Sequence, residues 1–158
     1  MLVLPGFRGY KLKEQRREAD RIVRNYIYDA MERSRDDLTT CLQALTDNKL
    51  TELWEPTNRL IAKVDRVTEK INHASYGYTG FFDSVRIEEP DLDRMLGYDS
   101  QLMDSARKVS DLTTSLRSNL TQSKFDDARN AQLQIDDSIG SLELAFDQRK
   151  SVIEGVKV

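Results

Sequence analysis

His73 is the only histidine and Cys41 the only cysteine in this 158-residue chain. A zinc or di-iron centre built on several histidines therefore cannot form within one copy. The di-iron bundles need Glu-x-x-His, whereas Glu69 precedes His73 by one residue too many and no second copy of the pattern follows. His73 reads as a residue of a helix C-terminus, where the helix dipole favours a cation. Cys41 lies on an apolar stripe and reads as a buried, inert thiol. Carboxylates are plentiful, but many stand as neighbours, as in Asp36-Asp37, Asp126-Asp127 and Asp136-Asp137. Adjacent residues on a helix point about 100° apart, so such pairs do not form acid/base dyads by themselves. Phosphate-binding glycine loops and nucleophile elbows are absent from the sequence. No catalytic residue, metal or cofactor is assigned, and a non-enzyme is expected.

The one stretch of unusual composition is Ser75-Tyr-Gly-Tyr-Thr-Gly-Phe-Phe-Asp83. Tyr76, Tyr78, Phe81 and Phe82 alternate with Gly77 and Gly80, and Asp83 closes the run. Residues 74–90 are expected to be a non-helical loop, with Ser84–Ile87 alternating like a short strand. A connection of that length is either packed on itself or functional. Two readings stay open. The rings plug one end of a bundle, each buried ring contributing on the order of 2–3 kcal/mol. Alternatively, some rings stay exposed as a docking patch.

Long helices must flank this stretch. Residues 1–9 read as an irregular arm, because Pro5-Gly6 interrupts helix formation. Helix one is expected over about 10–46, with Ala19, Val23, Tyr26, Ala30, Leu38, Cys41, Leu42 and Leu45 on one side. Asp47-Asn48 should break it. Helix two, about 49–73, carries the most regular seam: Leu50, Leu53, Thr57, Leu60, Val64, Val67 and Ile71. Pro56 either starts the regular helix in its first turn or kinks a helix begun near Lys49; the kink is preferred, because the seam runs through the proline without a phase change. Helix three, about 91–121, has Asp91 as N-cap and a seam of Leu92, Met95, Asp99, Leu102, Ala106, Val109, Thr113, Leu116 and Leu120. Asp99 is the polar residue among them. It is either buried and paired, which would mark a specificity site, or placed near the open end of the bundle and in reach of water; the second is preferred. Helix four, about 124–155, starts at the capping-box-like Ser123–Asp126. It keeps the rhythm through Phe125, Ala128, Gln132, Ile135, Ile139, Leu142, Phe146, Arg149 and Ile153.

These seams alternate steps of three and four, as helices packed at a shallow angle require. The predicted fold is all-α: an elongated, antiparallel, up-down four-helix bundle with coiled-coil-like heptad seams, a single domain over 10–158. The long aromatic and glycine loop joins helices two and three. The start of helix one and the end of helix four are expected at opposite ends. In length and heptad style the chain resembles spectrin-type and phage-shock-type helical scaffolds; no residue motif accompanies that likeness, so it carries over no function.

The net charge of −3 argues against a dedicated nucleic-acid binder. The charge is uneven: residues 1–79 hold 14 Lys/Arg against 12 Asp/Glu, and residues 80–158 hold 10 against 15. The two halves attract each other in the fold, or each attracts a different partner. Lys13, Arg17, Arg21 and Arg24 fall on one side of helix one and form a candidate face for an anionic surface, either membrane lipid or RNA. A helix with Glu14, Glu18 and Asp20 among those cations also reads as an ordinary solvated face. No run of 18 apolar residues is present, so no membrane span is expected. With a single cysteine and no signal-peptide core at the start, the chain is read as cytoplasmic.

Three functions are expected in order. The first is a non-enzymatic scaffold or oligomerisation module with a protein partner or a second copy. Peripheral binding of an anionic surface is the alternative. The third is a small-ligand or enzyme pocket at the loop end, using His73, Asp83 and Asp99.

Overall fold

The computed structural model describes residues 5–78 and 89–155, with side chains described over 14–74, at 90 and over 93–151. Four helices account for nearly all of it. They are α1 (Pro5–Asp47), α2 (Trp54–Tyr78), α3 (Glu89–Thr121) and α4 (Ala128–Gly155), with a single 3-10 turn at Thr51–Leu53 ahead of α2. At about 1.5 Å per residue, α1 alone is roughly 65 Å long. The bundle is elongated, as the sequence implies.

The heptad seams form the core. Leu53 of the 3-10 turn and Thr57, Leu60, Val64, Val67 and Ile71 of α2 are all buried, as are Met95 through Leu120 of the α3 seam and Ala128 through Arg149 of the α4 seam. On α1 the buried line is Arg16, Asp20, Val23, Ile27, Ala30, Met31, Ser34, Asp37, Leu38, Cys41 and Leu45. It keeps the same three-four rhythm, but its first members are charged.

Consecutive helices run antiparallel, yet the neighbours around the bundle are not in chain order. α1 packs on α2 and α3, and α4 packs on α3 and α2. α2 and α3 are therefore diagonal. Arg16 meets Asp99 and Asp37 meets Thr114, so α1 and α3 run parallel. Thr57 meets Gln132 and Lys70 meets Asp147, so α2 and α4 also run parallel. The molecule is two helical hairpins laid side by side in the same direction. The tetrapeptide Asp-Leu-Thr-Thr occurs in both, at 37–40 and 111–114.

Each hairpin turn ends its first helix in the same way. Lys49 and Ser123 adopt left-handed backbone angles, with φ of 58° and 60°. The N–H of Leu50 bonds to the Leu45 carbonyl, and that of Lys49 to Thr46. Lys124 and Ser123 repeat the pattern on Asn119 and Leu120. This is the Schellman arrangement, which satisfies carbonyls left over at a helix end. In the first hairpin it also packs Leu50 beside the core.

The charge asymmetry between the two halves is spent inside the fold. Lys63, Arg66 and Lys70 of α2 pair with Asp136, Glu143 and Asp147 of α4, at 2.8, 2.6 and 2.7 Å. Hydrogen bonds from Arg66 are the main reason that the Glu143 carboxyl is held down at about 2, with Lys70 assisting and partial burial opposing.

Several boundaries differ from those expected. α1 reaches back to Pro5 rather than starting near residue 10, because a proline fits the first turn, whose N–H groups have no intrahelical partner anyway. Pro56 likewise sits in the first turn of α2 and is a helix start, not a kink. α2 continues past His73 to Tyr78, and α3 begins at Glu89, which places Asp91 inside the helix instead of at its N-cap. Ser123 closes α3 rather than capping α4, which begins at Ala128. Arg149 of α4 meets Asp20 of α1, so the first and last helices share an end. An even number of antiparallel passes returns the chain to the side where it began. Phe81, Phe82, Asp83 and the strand-like Ser84–Ile87 lie outside the described residues, as do the side chains of Tyr76 and Tyr78.

Candidate functional site

Asp99 occupies a seam position of α3 and is 3% exposed. It does not reach water, contrary to the preferred expectation. Arg16 Nη1 donates to its Oδ2 at 2.8 Å, and Arg149 Nε donates to its Oδ1 at 2.7 Å. Arg149 Nη2 also donates to Asp20 Oδ1 at 2.6 Å, and Arg24 Nε to Asp20 Oδ2 at 2.7 Å. Two aspartates and two arginines, all but fully buried, thus tie α1, α3 and α4 together, with Arg24 at the edge. Burial works against the Arg149 charge, but Asp20 and Asp99 outweigh it and hold the guanidinium above the ordinary arginine range. A charge removed from water in this way survives only with partners this close.

A second polar layer lies nearer the hairpin turns. Asp37, on α1, accepts from Thr114 Oγ1 at 2.7 Å and pairs with Arg117 at 3.1 Å, both on α3. Cys41 stands one turn further along α1. Burial, with the Asp37 charge second, pushes its thiol up to about 12.

The third polar layer joins α2 and α4. Thr57 Oγ1 donates to the Leu53 carbonyl at 2.9 Å. Gln132 Nε2 donates to that same carbonyl at 2.9 Å and to Thr57 Oγ1 at 2.8 Å. These bonds fix the amide orientation, since a flipped amide would set Oε1 against the carbonyl oxygen. Gln132 Oε1 is left buried without a donor. An unanswered acceptor of this kind costs roughly 1–3 kcal/mol.

Two grooves of about 400 Å³ each run between the parallel pairs, on opposite faces of the bundle. The α1/α3 groove is lined by Ala19, Ile22, Tyr26, Leu96 and Met103, with Asp99 at its floor. Ile22 is 54% exposed and Leu96 48%. Beside Leu96, a Cβ built on Gly97 would meet nothing within 4 Å. The α2/α4 groove contains Gln132.

The expected basic face of α1 is divided. Arg21 is exposed and paired with Glu18 at 2.7 Å, whereas Arg24 is half-buried and held by Asp20. Arg17 lies 3.9 Å from Glu14, and the Lys13 side chain is outside the described set. His73 is exposed and lies 3.2 Å from Glu69, so it and Asp99 have separate partners. Among the described residues no group of three or more His, Cys, Asp or Glu side chains could hold a metal ion, and no helix is long and apolar enough to cross a membrane.

Sequence reasoning named Asp99 and put Arg149 and Gln132 on the α4 seam, but passed over Arg16 and Asp20. Their signal was present: 16, 20, 23 and 27 continue the seam steps backwards through charged residues. No family model, curated protein or solved structure matches the chain.

Proposed function

We propose that this protein is a non-enzymatic, cytoplasmic interaction module that assembles with a second copy of itself through the α1/α3 face. The exposed pair Ile22 and Leu96 supports this reading most directly. Two large aliphatic side chains stand about half in water, one on each lip of an apolar groove. Gly97 leaves the α3 backbone bare beside them, so another helix can approach closely. The exposed pairs Glu18–Arg21 and Asp104–Arg107 flank the groove with balanced charge. A face of that kind is self-complementary about a two-fold axis, which is what an isologous dimer needs.

Light scattering behind size exclusion tests it, on the wild type and on an Ile22→Glu/Leu96→Glu double variant. The expected outcome is a wild-type mass near twice 18.2 kDa and a monomeric variant that still unfolds cooperatively, lacking only the concentration-dependent part of the wild-type melting temperature. A wild type that stays at 18.2 kDa up to millimolar concentration overturns the reading. A double variant that remains dimeric moves the interface elsewhere. A Tyr78→Ala/Phe81→Ala variant then asks whether the 75–83 stretch holds the copies together.

A further inference from the structure

The apolar core stops short of one end of the bundle. Its last buried members there are Val23 on α1, Ile71 on α2, Leu102 on α3 and Phe146 on α4. Beyond that level Met95 is the single buried apolar side chain among the described residues, and it stands outside the continuous core. The buried positions are taken instead by Arg16, Asp20, Asp99 and Arg149. Burial strips these charges of water, and their pairing must offset that loss. The pairing is incomplete. Arg16 Nε and Nη2 and Arg149 Nη1 are closed off from solvent and have no hydrogen-bond acceptor. Each such donor adds a desolvation cost that nothing answers.

The end with the hairpin turns has the opposite balance. There Leu38, Cys41, Leu45, Leu116, Leu120 and Ile135 fill the interior. Parting that end would expose hydrocarbon to water. Parting the ionic end gives up attraction between four charges, but it returns water to each of them and to the three unanswered donors.

We propose that the bundle has a fixed hairpin end and an ionic end that opens as one unit around Arg16, Asp20, Asp99 and Arg149. Asp99 holds both Arg16 and Arg149, and Arg149 also holds Asp20. Release of Asp99 therefore loosens α1, α3 and α4 together. This end changes shape while the rest of the chain stays folded. The contacts lie within one chain, so the inference is independent of the self-association proposed above.

Native-state amide exchange of the 15N-labelled full chain, followed across low urea concentrations, tests it. Amides at 16–23, 97–103 and 145–151 are expected to share one opening, with the same free energy and the same urea dependence. Their protection should lie at least about a hundredfold below that of 38–45, 116–120 and 135–139, which exchange only when the whole chain unfolds. Exchange of all six segments by global unfolding overturns the proposal. Openings that differ among the three helices, or that lack urea dependence, also overturn it, because they describe helix ends fraying singly. Asp99→Ala gives a second readout. It should speed exchange at 16–23 and 145–151 as well as in its own helix, by at least about a hundredfold. Acceleration confined to α3 overturns the coupling among the three helices.

Discussion

Arg149 Nε donates to Asp99 Oδ1 across 2.7 Å, although both residues occupy seam positions that their neighbours fill with Leu, Met and Phe. The pair lies where α1, α3 and α4 converge, and each member holds a further partner on α1. Apolar seams alone tolerate a slip by one heptad, because a shifted leucine meets another leucine. Shifting the hairpins here would bury an unpaired charge instead. The network thus sets the alignment of one hairpin against the other.

Removing one member should therefore cost far more than removing all. Asp99→Ala leaves Arg16 without its carboxylate and Arg149 with only Asp20, and is expected to destabilise by about 3–5 kcal/mol. For a domain of this size that lowers the melting temperature by on the order of 10 °C. Joint replacement of Arg16, Asp20, Asp99 and Arg149 by Met and Leu should be near neutral in stability. Urea unfolding of the two variants checks this, and a single variant costing under about 1 kcal/mol would show that the network is solvated.

Helix ends and helix interiors call for opposite changes at glycine. Lys49 and Ser123 hold left-handed angles that cost a side-chain-bearing residue roughly 1–2 kcal/mol. Lys49→Gly and Ser123→Gly are each expected to stabilise, by about 0.5–1 kcal/mol after the added flexibility of the unfolded chain. Gly97 and Gly140 lie inside helices, and a Cβ at either meets at most the Lys63 ammonium at 3.6 Å. Gly140→Ala should also stabilise, by roughly 0.5–1 kcal/mol, and Gly97→Ala should do so in the single chain while hindering the close approach proposed for a second copy. Thermal unfolding reads all four. A destabilised Gly140→Ala would mean that Lys63 cannot yield.

Acid should weaken the α2/α4 contact in a defined window. The folded Glu143 carboxyl lies at about 2, below its ordinary value of 4.5. The stability it contributes is fully present above pH 4.5 and is lost as pH falls through about 2. Urea midpoints measured from pH 7 down to pH 2 should fall in that interval, and Glu143→Gln should flatten part of the decline. An unchanged profile in Glu143→Gln would assign the acid sensitivity to other carboxylates.

Cys41 reports on opening of the core. With its thiol pushed up to about 12 and no exposed surface, it should resist a disulfide reagent at pH 8 in the native state and react fully in urea. Rapid stoichiometric labelling of the folded protein would show that the α1 seam opens locally.

Much of this architecture follows from the sequence alone. Helix count, seam residues and bundle class depend on the spacing of apolar side chains, which is a local property of each helix. Leu53 to Ile71 and Met95 to Leu120 turned inward as their spacing required. The spacing is silent on which helices become neighbours, because one apolar stripe fits any other. Only the tertiary structure set α1 beside α3 and α2 beside α4, and it did so with charge: Arg16 to Asp99 in the core, and Lys63, Arg66 and Lys70 against acidic α4 at the surface. Proline and serine misled for a related reason. Pro5, Pro56 and Ser123 each fit both sides of a helix boundary, so residue type alone does not choose the side. The grooves belong wholly to the tertiary level, since each is made by two helices more than 70 residues apart in the chain, joined by contacts such as Gln132 to Thr57.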